Sequence, residues 1–232
     1  MINYIKEFPS YFNRKIKSKK ISYSLTGIDL IVDYMFKNKT GFFIDIGCNH
    51  PVYNNNTYKL YKRGWNGINI DIDKKSIDLF NIFRKKDLNL NIAISSSENT
   101  KEFINFHEKS PINRLKNKDD DLNSFKFESV KKIKSSTLNS VIDNSIYKKK
   151  KIDFVSIDVE GHELEVIKGF DLEKYKPSVI IIEYLDLKIE KLEINYFDLE
   201  NVLNSEIYKL MISNGYKFVN WLHSDLIFVR NS

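Results

Sequence analysis

Two short stretches of this chain bring acids, a glycine and a strand-like apolar run together as a small-molecule site requires. The first is Asp45-Ile46-Gly47-Cys48-Asn49, which follows Gly41-Phe42-Phe43-Ile44. The apolar run reads as a buried strand. Gly47 permits a sharp turn and close approach of a ligand to the backbone. Asp45 can hold loop amides or a cationic ligand group. Asp71 ends the next such run, Gly67-Ile68-Asn69-Ile70-Asp71. An acid there can accept hydrogen bonds from both hydroxyls of a ribose, and the alternative for either acid is a plain helix cap. After Gly47 the chain continues Cys48-Asn49-His50-Pro51, so the G-x-G-x-x-G pattern of dinucleotide sites is absent. Without the later glycines a pyrophosphate has poor access to a helix N-terminus. A nucleoside ligand lacking phosphate, such as S-adenosylmethionine, fits this loop better than a nicotinamide dinucleotide.

The second stretch is Asp158-Val159-Glu160-Gly161-His162-Glu163. It joins a strand-end acid, a turn glycine and a helix opening that carries His and Glu. Asp158, Glu160, His162 and Glu163 could form a general-base site or, through their oxygens, bind a cation. Clustered carboxylates raise one another's pKa unless a cation or donors intervene. The plainer reading is that Glu160 and Glu163 complement the N-terminus of the following helix. No metal ligand set is assigned.

The elements that must position these residues alternate. Residues 1–17 and 25–38 read as helices, the latter from the spacing of Ile28, Ile31, Val32, Met35 and Phe36. Strands are predicted over 41–47, 67–71, 89–94, 152–158 and 179–183. Helices fall between them near 57–63, 74–85, 137–146 and 162–169. Residues 95–135 lack regular patterning, and 107–128 reads as a long connection, a substrate lid or a disordered segment. The tail gives a helix over 198–214 and a hairpin of strands 216–221 and 225–230. This order predicts an α/β fold with a mostly parallel sheet, helices on both faces and an antiparallel edge strand. Ligands in such sheets sit at the carboxyl ends of the strands. Asp45, Asp71, Asp158 and Glu183 all end strands, so one rim carries four carboxylates. Two parts are expected, an N-terminal helical extension (1–38) and the sheet domain (39–232).

Composition narrows the function class. The chain has 232 residues, 42% hydrophobic and 29% charged, ordinary for a globular protein. One cysteine excludes an internal disulfide and a four-cysteine zinc site. The net charge is +6, with lysines dispersed among acids, which argues against a nucleic-acid partner. The basic segment Arg14 to Lys20 reads as a solvated helix end rather than a membrane contact. No run reaches the roughly 18 apolar residues of a membrane span, and the N-terminus lacks the apolar stretch of a signal peptide. A cytoplasmic location without stable membrane insertion is expected. Trp65 reads as a core residue, and His107 and His223 as structural or surface groups.

The motifs resemble a known family. Phe43 to Pro51, then Asn55-Asn56-Thr57-Tyr58-Lys59-Leu60-Tyr61 and Gly64-Trp65-Asn66-Gly67, are similar to the opening of the FkbM-type methyltransferases. Ile157 to Phe170 resembles that family's most recognisable segment, and Pro177 to Glu183 its following strand. The resemblance implies a Rossmann-like class I methyltransferase fold with a seven-stranded sheet. It also implies S-adenosylmethionine as donor and, usually, O-methylation. The implied acceptor is a hydroxyl of a sugar or surface-polysaccharide precursor of capsule or lipooligosaccharide, free or nucleotide-linked. The donor set it implies is Asp45, Gly47, Cys48, Asn49, Asn56, Thr57, Asp71, Ile72, Ala93 and Asp158. Of these, Asn56 and Thr57 support the loop, Asp71 takes the ribose and Ala93 lies near adenine. Asp158, Glu160, His162 and Glu163 would face the transfer site. His50 stands where many members have glycine, and the residues before Lys101 lack the usual acid–amide pair that grips adenine. The rival readings are an NAD-dependent oxidoreductase, a nucleic-acid methyltransferase and a noncatalytic Rossmann-like nucleoside-binding protein.

Overall fold

A computed structural model describes residues 20–37, 39–117, 120–184 and 199–231. The helix predicted over 1–17 and nearly all of the basic segment 14–20 lie outside the described residues.

Helix α1 (Ile28–Met35) is followed by strand β1 (Phe42–Ile46), helix α2 (Tyr58–Lys62), strand β2 (Asn66–Asp71), helix α3 (Lys74–Phe83) and strand β3 (Leu88–Asn91). Four strands come next: β4 (Ala93–Ile94), β5 (Asn99–Asn105), β6 (Arg114–Leu115) and β7 (Ser129–Ser136). The second half runs α4 (Leu138–Asp143), β8 (Phe154–Ile157), α5 (Glu163–Lys168), α6 (Leu172–Tyr175) and β9 (Val179–Glu183). Helices α7 (Leu199–Asn204) and α8 (Glu206–Ser213) and strands β10 (Tyr216–Leu222) and β11 (Asp225–Arg230) close the described chain.

The main sheet has seven strands in the order β3-β2-β1-β8-β9-β11-β10. The five from β3 to β9 are mutually parallel, and β11 is antiparallel to both β9 and β10. The antiparallel strand therefore lies inside the sheet, where an edge strand was expected. The tight hairpin at His223-Ser224 turns the last strand back into the gap beside β9, and β10 becomes the edge.

Period-two alternation divides the strand side chains between two cores. Phe42, Ile44, Ile46, Val155, Ile157, Ile180 and Ile182 face Leu138, Val166, Ile167 and Met211 of the second-half helices. Phe43, Phe154, Val179 and Ile181 face Ile28, Val32, Phe36, Leu60 and Trp65. The spacing read in α1 thus buries that helix on the sheet, and the boundary expected at 38/39 runs through a shared core. Trp65 is a core residue as expected, its indole N–H donating to the Lys39 carbonyl at 3.0 Å.

Three local expectations are corrected. The strand predicted over 89–94 is two strands, β3 in the main sheet and β4 in a second one. Within 95–135, which was expected to lack regular elements, strands β5, β6 and β7 join β4 in a four-stranded sheet of order β4-β7-β5-β6. Its one apolar face is small, made of Ala93, Phe103, Leu115 and Ile133 over Ile72. Lys132 and Lys134 dress the exposed face of β7, while Lys131 stands on the same side as Ile133, and this hid the alternation. The helix predicted over 198–214 breaks at Ser205, whose hydroxyl caps α8 by accepting from the Tyr208 amide.

Candidate active site

The strand order reverses between β1 and β8, and the loops leaving these two strands meet there. Gly47 has φ +78°, and a Cβ on it would lie 1.5 Å from the Asp158 carbonyl oxygen. Only glycine fits both the left-handed backbone and this contact. Beside it opens a cleft. Gly47, Asn49, Asp71, Asp158 and Glu160 supply its polar wall, and Ile72, Ile92, Ala93, Pro111 and Leu115 an apolar one.

The loop after β1 is held from behind. Asp45 is buried, and its carboxylate accepts from Thr57 Oγ1 at 2.7 Å and Asn55 Nδ2 at 3.1 Å. Arg84, also fully buried, donates to Thr57 Oγ1 at 3.1 Å and to the Pro51 carbonyl at 3.2 Å. Its Nε pairs with buried Asp87 at 2.9 Å. The unusual Asn49-His50-Pro51 run is therefore clamped by an arginine from the end of α3. Burial pushes Asp45 up to about 6 against the lowering pull of Thr57, Arg84 and Asn55.

Asp71 ends β2 with both oxygens engaged. They accept from the Asn49 amide at 2.8 Å and the Asp73 amide at 2.7 Å. Each oxygen keeps a second lone pair for a ligand. Burial pushes this carboxyl up to about 7. Asp73 in turn caps α3 and accepts from the Lys109 amide at 2.6 Å and Asn113 Nδ2 at 3.2 Å. That tie draws the 107–113 loop over the cleft, where Ser110, Pro111, Asn113 and Leu115 form its outer wall. These lid residues were not assigned from the sequence. Their signal was only a lone proline in a long connection.

The loop after β8 makes the acidic half. Glu160 (φ +56°) and Gly161 (φ +96°) form a left-handed turn, closed by Glu163 Oε1 accepting from the Val159 and Gly161 amides, both at 3.0 Å. A second cleft of about 840 Å³ adjoins the first and shares Gly47, Asn49, Pro111, Asp158 and Glu160 with it. Its remaining wall is polar: Thr26, Asn54, Asn56, Glu183, His223, Ser224 and Asp225, with Leu25. Carboxylate oxygens of Asp158, Glu160 and Glu183 lie within 4.8 Å of one another. Burial raises Asp158 above the usual carboxylate range, and burial followed by repulsion from Asp158 drives Glu183 up further. Burial, then Asp158 and Glu163, lifts Glu160 to about 7. Burial, then Asp158, lifts Asp225 to about 7.

The residues expected from the sequence fall in three places. Gly47, Asn49, Asp71, Ile72, Ala93, Asp158, Glu160 and His162 line the first cleft. Asn56 lines the second, its amide donating to Ser156 Oγ at 3.1 Å. Asp45 and Cys48, expected to touch the ligand, line neither, and Thr57, expected to support the loop, donates to Asp45 behind it. Cys48 packs against Ile77 and Phe80, with its thiol pushed up by burial. Glu163, expected to face the reacting atoms, spends one carboxylate oxygen on the turn. It borders a side groove with Arg114 and Asp120. His162 lies 3.1 Å through Nε2 from Ser95 Oγ and is absent from the second cleft. Glu183 was read as a rim acid but not as a site residue, and Asp225 only as part of a turn.

The description "Methyltransferase FkbM domain" matches residues 45–218. No curated protein matches the chain. Among solved structures, a candidate RNA methyltransferase from Pyrococcus horikoshii aligns with TM-score 0.45 at 10% identity, covering 89% of this chain and 84% of its own. A TehB-like SAM-dependent methyltransferase from Corynebacterium glutamicum gives 0.44 at 8% identity with both chains covered in full. A candidate caffeoyl-CoA O-methyltransferase from Staphylococcus aureus gives 0.45 at 14% identity, covering 99% and 92%.

Proposed function

The chain belongs to the FkbM methyltransferase family, and from that premise we propose that it methylates a hydroxyl of a sugar or surface-polysaccharide precursor. The enzyme is a methyltransferase and its donor is S-adenosylmethionine. When bound, that donor supplies an activated methyl group on a positively charged sulfur. The first cleft suits it: Asp71 at the strand end for a ribose, an apolar wall of Ile72, Ile92, Ala93 and Leu115, and acids where a cation would lie. Asp45 and Thr57 would act by holding the loop. Cys48 would only fill the space behind it. The same acids disfavour the pyrophosphate of a nicotinamide dinucleotide and the phosphates of a nucleic acid.

The observation that carries the acceptor reading is the second cleft, which opens onto the first across Gly47, Asp158 and Glu160. Its asparagines, serine, histidine and acids match a hydroxyl-rich ligand rather than a planar aromatic one. Methyl transfer needs the acceptor oxygen held in line and relieved of its proton. Asp158 and Glu160 line both clefts, which supports their serving both tasks. His162 would act on the donor side, oriented by Ser95. Membership of surface-glycan synthesis and a cytoplasmic location belong to the same proposal. No helix among the described residues is long and apolar enough to cross a membrane.

Calorimetric titration with S-adenosylmethionine and S-adenosylhomocysteine tests the donor site, with binding of both expected. A screen of sugars and nucleotide-linked sugars, read by methyl incorporation, tests the acceptor. Incorporation into non-glycan hydroxyls alone would sink the acceptor class while leaving the enzyme class intact.

A further inference from the structure

We infer that Asp158, Glu160 and Glu183 form a binding site for one divalent metal ion at the mouth of the acceptor cleft. Three carboxylates from three places in the chain converge here: the ends of β8 and β9 and the left-handed turn after β8. Each offers an oxygen within 4.8 Å of the other two. That spacing suits a hard cation taking oxygen ligands at roughly 2.0–2.6 Å, since oxygens on opposite sides of one ion then stand about 4–5 Å apart.

The second observation is independent of the clustering. Glu183 is only 8% exposed, it lines the cleft, and its Oε2 has no hydrogen-bond partner. A buried polar atom without a partner costs about 1–3 kcal/mol, more when charged. Such an atom at the centre of an acid cluster calls for a cation or a donor. The guanidinium whose charge reaches Glu160 belongs to Arg114, and it is already committed to both oxygens of Asp120 at 2.6 and 2.7 Å. A metal ion would give Glu183 Oε2 a partner and offset the repulsion that Asp158 exerts on Glu160 and Glu183.

The all-carboxylate donor set selects a hard ion, magnesium, calcium or manganese, over zinc or copper. Three protein ligands leave coordination positions open toward the cleft, where water or oxygens of the acceptor would complete the shell. This last step rests on the proposed function; the ion site itself does not.

The test uses the full chain and Mn²⁺, followed by loss of the free-ion electron paramagnetic resonance signal. One Mn²⁺ per chain is expected, displaceable by Mg²⁺ or Ca²⁺. Glu183→Gln and, separately, Asp158→Asn should each weaken it at least tenfold. S-adenosylhomocysteine titration of the same samples reports on folding and on the donor cleft. Absence of Mn²⁺ binding at millimolar concentration by a wild-type protein that binds S-adenosylhomocysteine would overturn the ion site alone. Undiminished Mn²⁺ binding by a folded Glu183→Gln would overturn it equally. Failure of S-adenosylhomocysteine to bind a chain that still takes up Mn²⁺ would instead count against the methyltransferase reading.

Discussion

The two halves of the rim start from one sequence device, an acid at the carboxyl end of a buried strand, and treat it in opposite ways. In the β1–β2 half the acids have hydrogen-bond donors built in. Asp45 accepts from Thr57 and Asn55, Asp71 from two loop amides, and Asp73 from Lys75, Lys109 and Asn113. Buried Arg84 supplies the compensating charge behind them. In the β8–β9–β11 half, Asp158, Glu160, Glu183 and Asp225 crowd one cleft, and Glu183 Oε2 lacks any partner. Carboxylates with their donors built in shape a loop. Carboxylates left facing one another are available to something that arrives from outside.

The comparison predicts different failures. The largest effect belongs to the β8–β9–β11 half: Asp158→Ala should lower turnover by about 10²–10⁴-fold, the usual range for losing a general base or its orienting partner. Donor affinity should stay within a few-fold, because Asp71 and the apolar wall are untouched. Single-turnover methyl transfer beside calorimetry separates the two, and unchanged turnover would remove Asp158 from the reaction. In the β1–β2 half, Arg84→Ala should instead cost stability, about 3–5 kcal/mol, because Asp87 is left as a buried charge without its partner. Chemical denaturation measures this. A loss below about 1 kcal/mol would mean that the clamp on Pro51 and Thr57 is dispensable, and the contrast between the halves would collapse.

How much of this was legible follows from the same physics. The central strands could be read because β1, β8 and β9 are short apolar runs buried on both faces, and α1 because it keeps its 3.6-residue spacing. Gly47, Asp71 and Asp158 could be read because a strand end, a tight turn and an acid sit next to one another in the chain. Arg84 could not: it lies at the end of a polar helix, and nothing local marks a charge that is to be buried beneath a distant loop. The second sheet was missed because β5–β7 bury only a narrow face and Lys131 breaks the apolar side of β7, which weakens the two-residue period. Glu183 was seen as a strand end, but its unpartnered Oε2 is a property of how β8, β9 and the 158–161 turn converge. Asp45 and Asp71 look alike in sequence. Only the burial of Thr57 and Asn55 shows that the first faces the scaffold and the second faces the cleft.

The smallest effect is the sharpest test, because its sign runs against ordinary expectation. Removing a polar contact usually destabilises, yet in the presence of a chelator Glu183→Gln should raise the thermal midpoint at pH 8. Glu183 is held far above its ordinary value by burial and by Asp158. Above about pH 4.5, the ordinary Glu value, the unfolded chain has released this proton while the folded chain keeps it. The folded state then binds more protons, so stability falls as pH rises. Glutamine does not titrate and is spared that loss. A gain of about 1 kcal/mol corresponds to about 2–4 °C for a chain of this size, and it should shrink toward zero as the pH approaches 5. Saturating Mg²⁺ should reverse the order, since the ion stabilises only the chain that retains its ligand. In the other half, Asp45→Asn should show no such Mg²⁺ reversal, because Asp45 lines neither cleft. A destabilised Glu183→Gln at pH 8 under chelation would show that the acids of the second half are as well satisfied as those of the first.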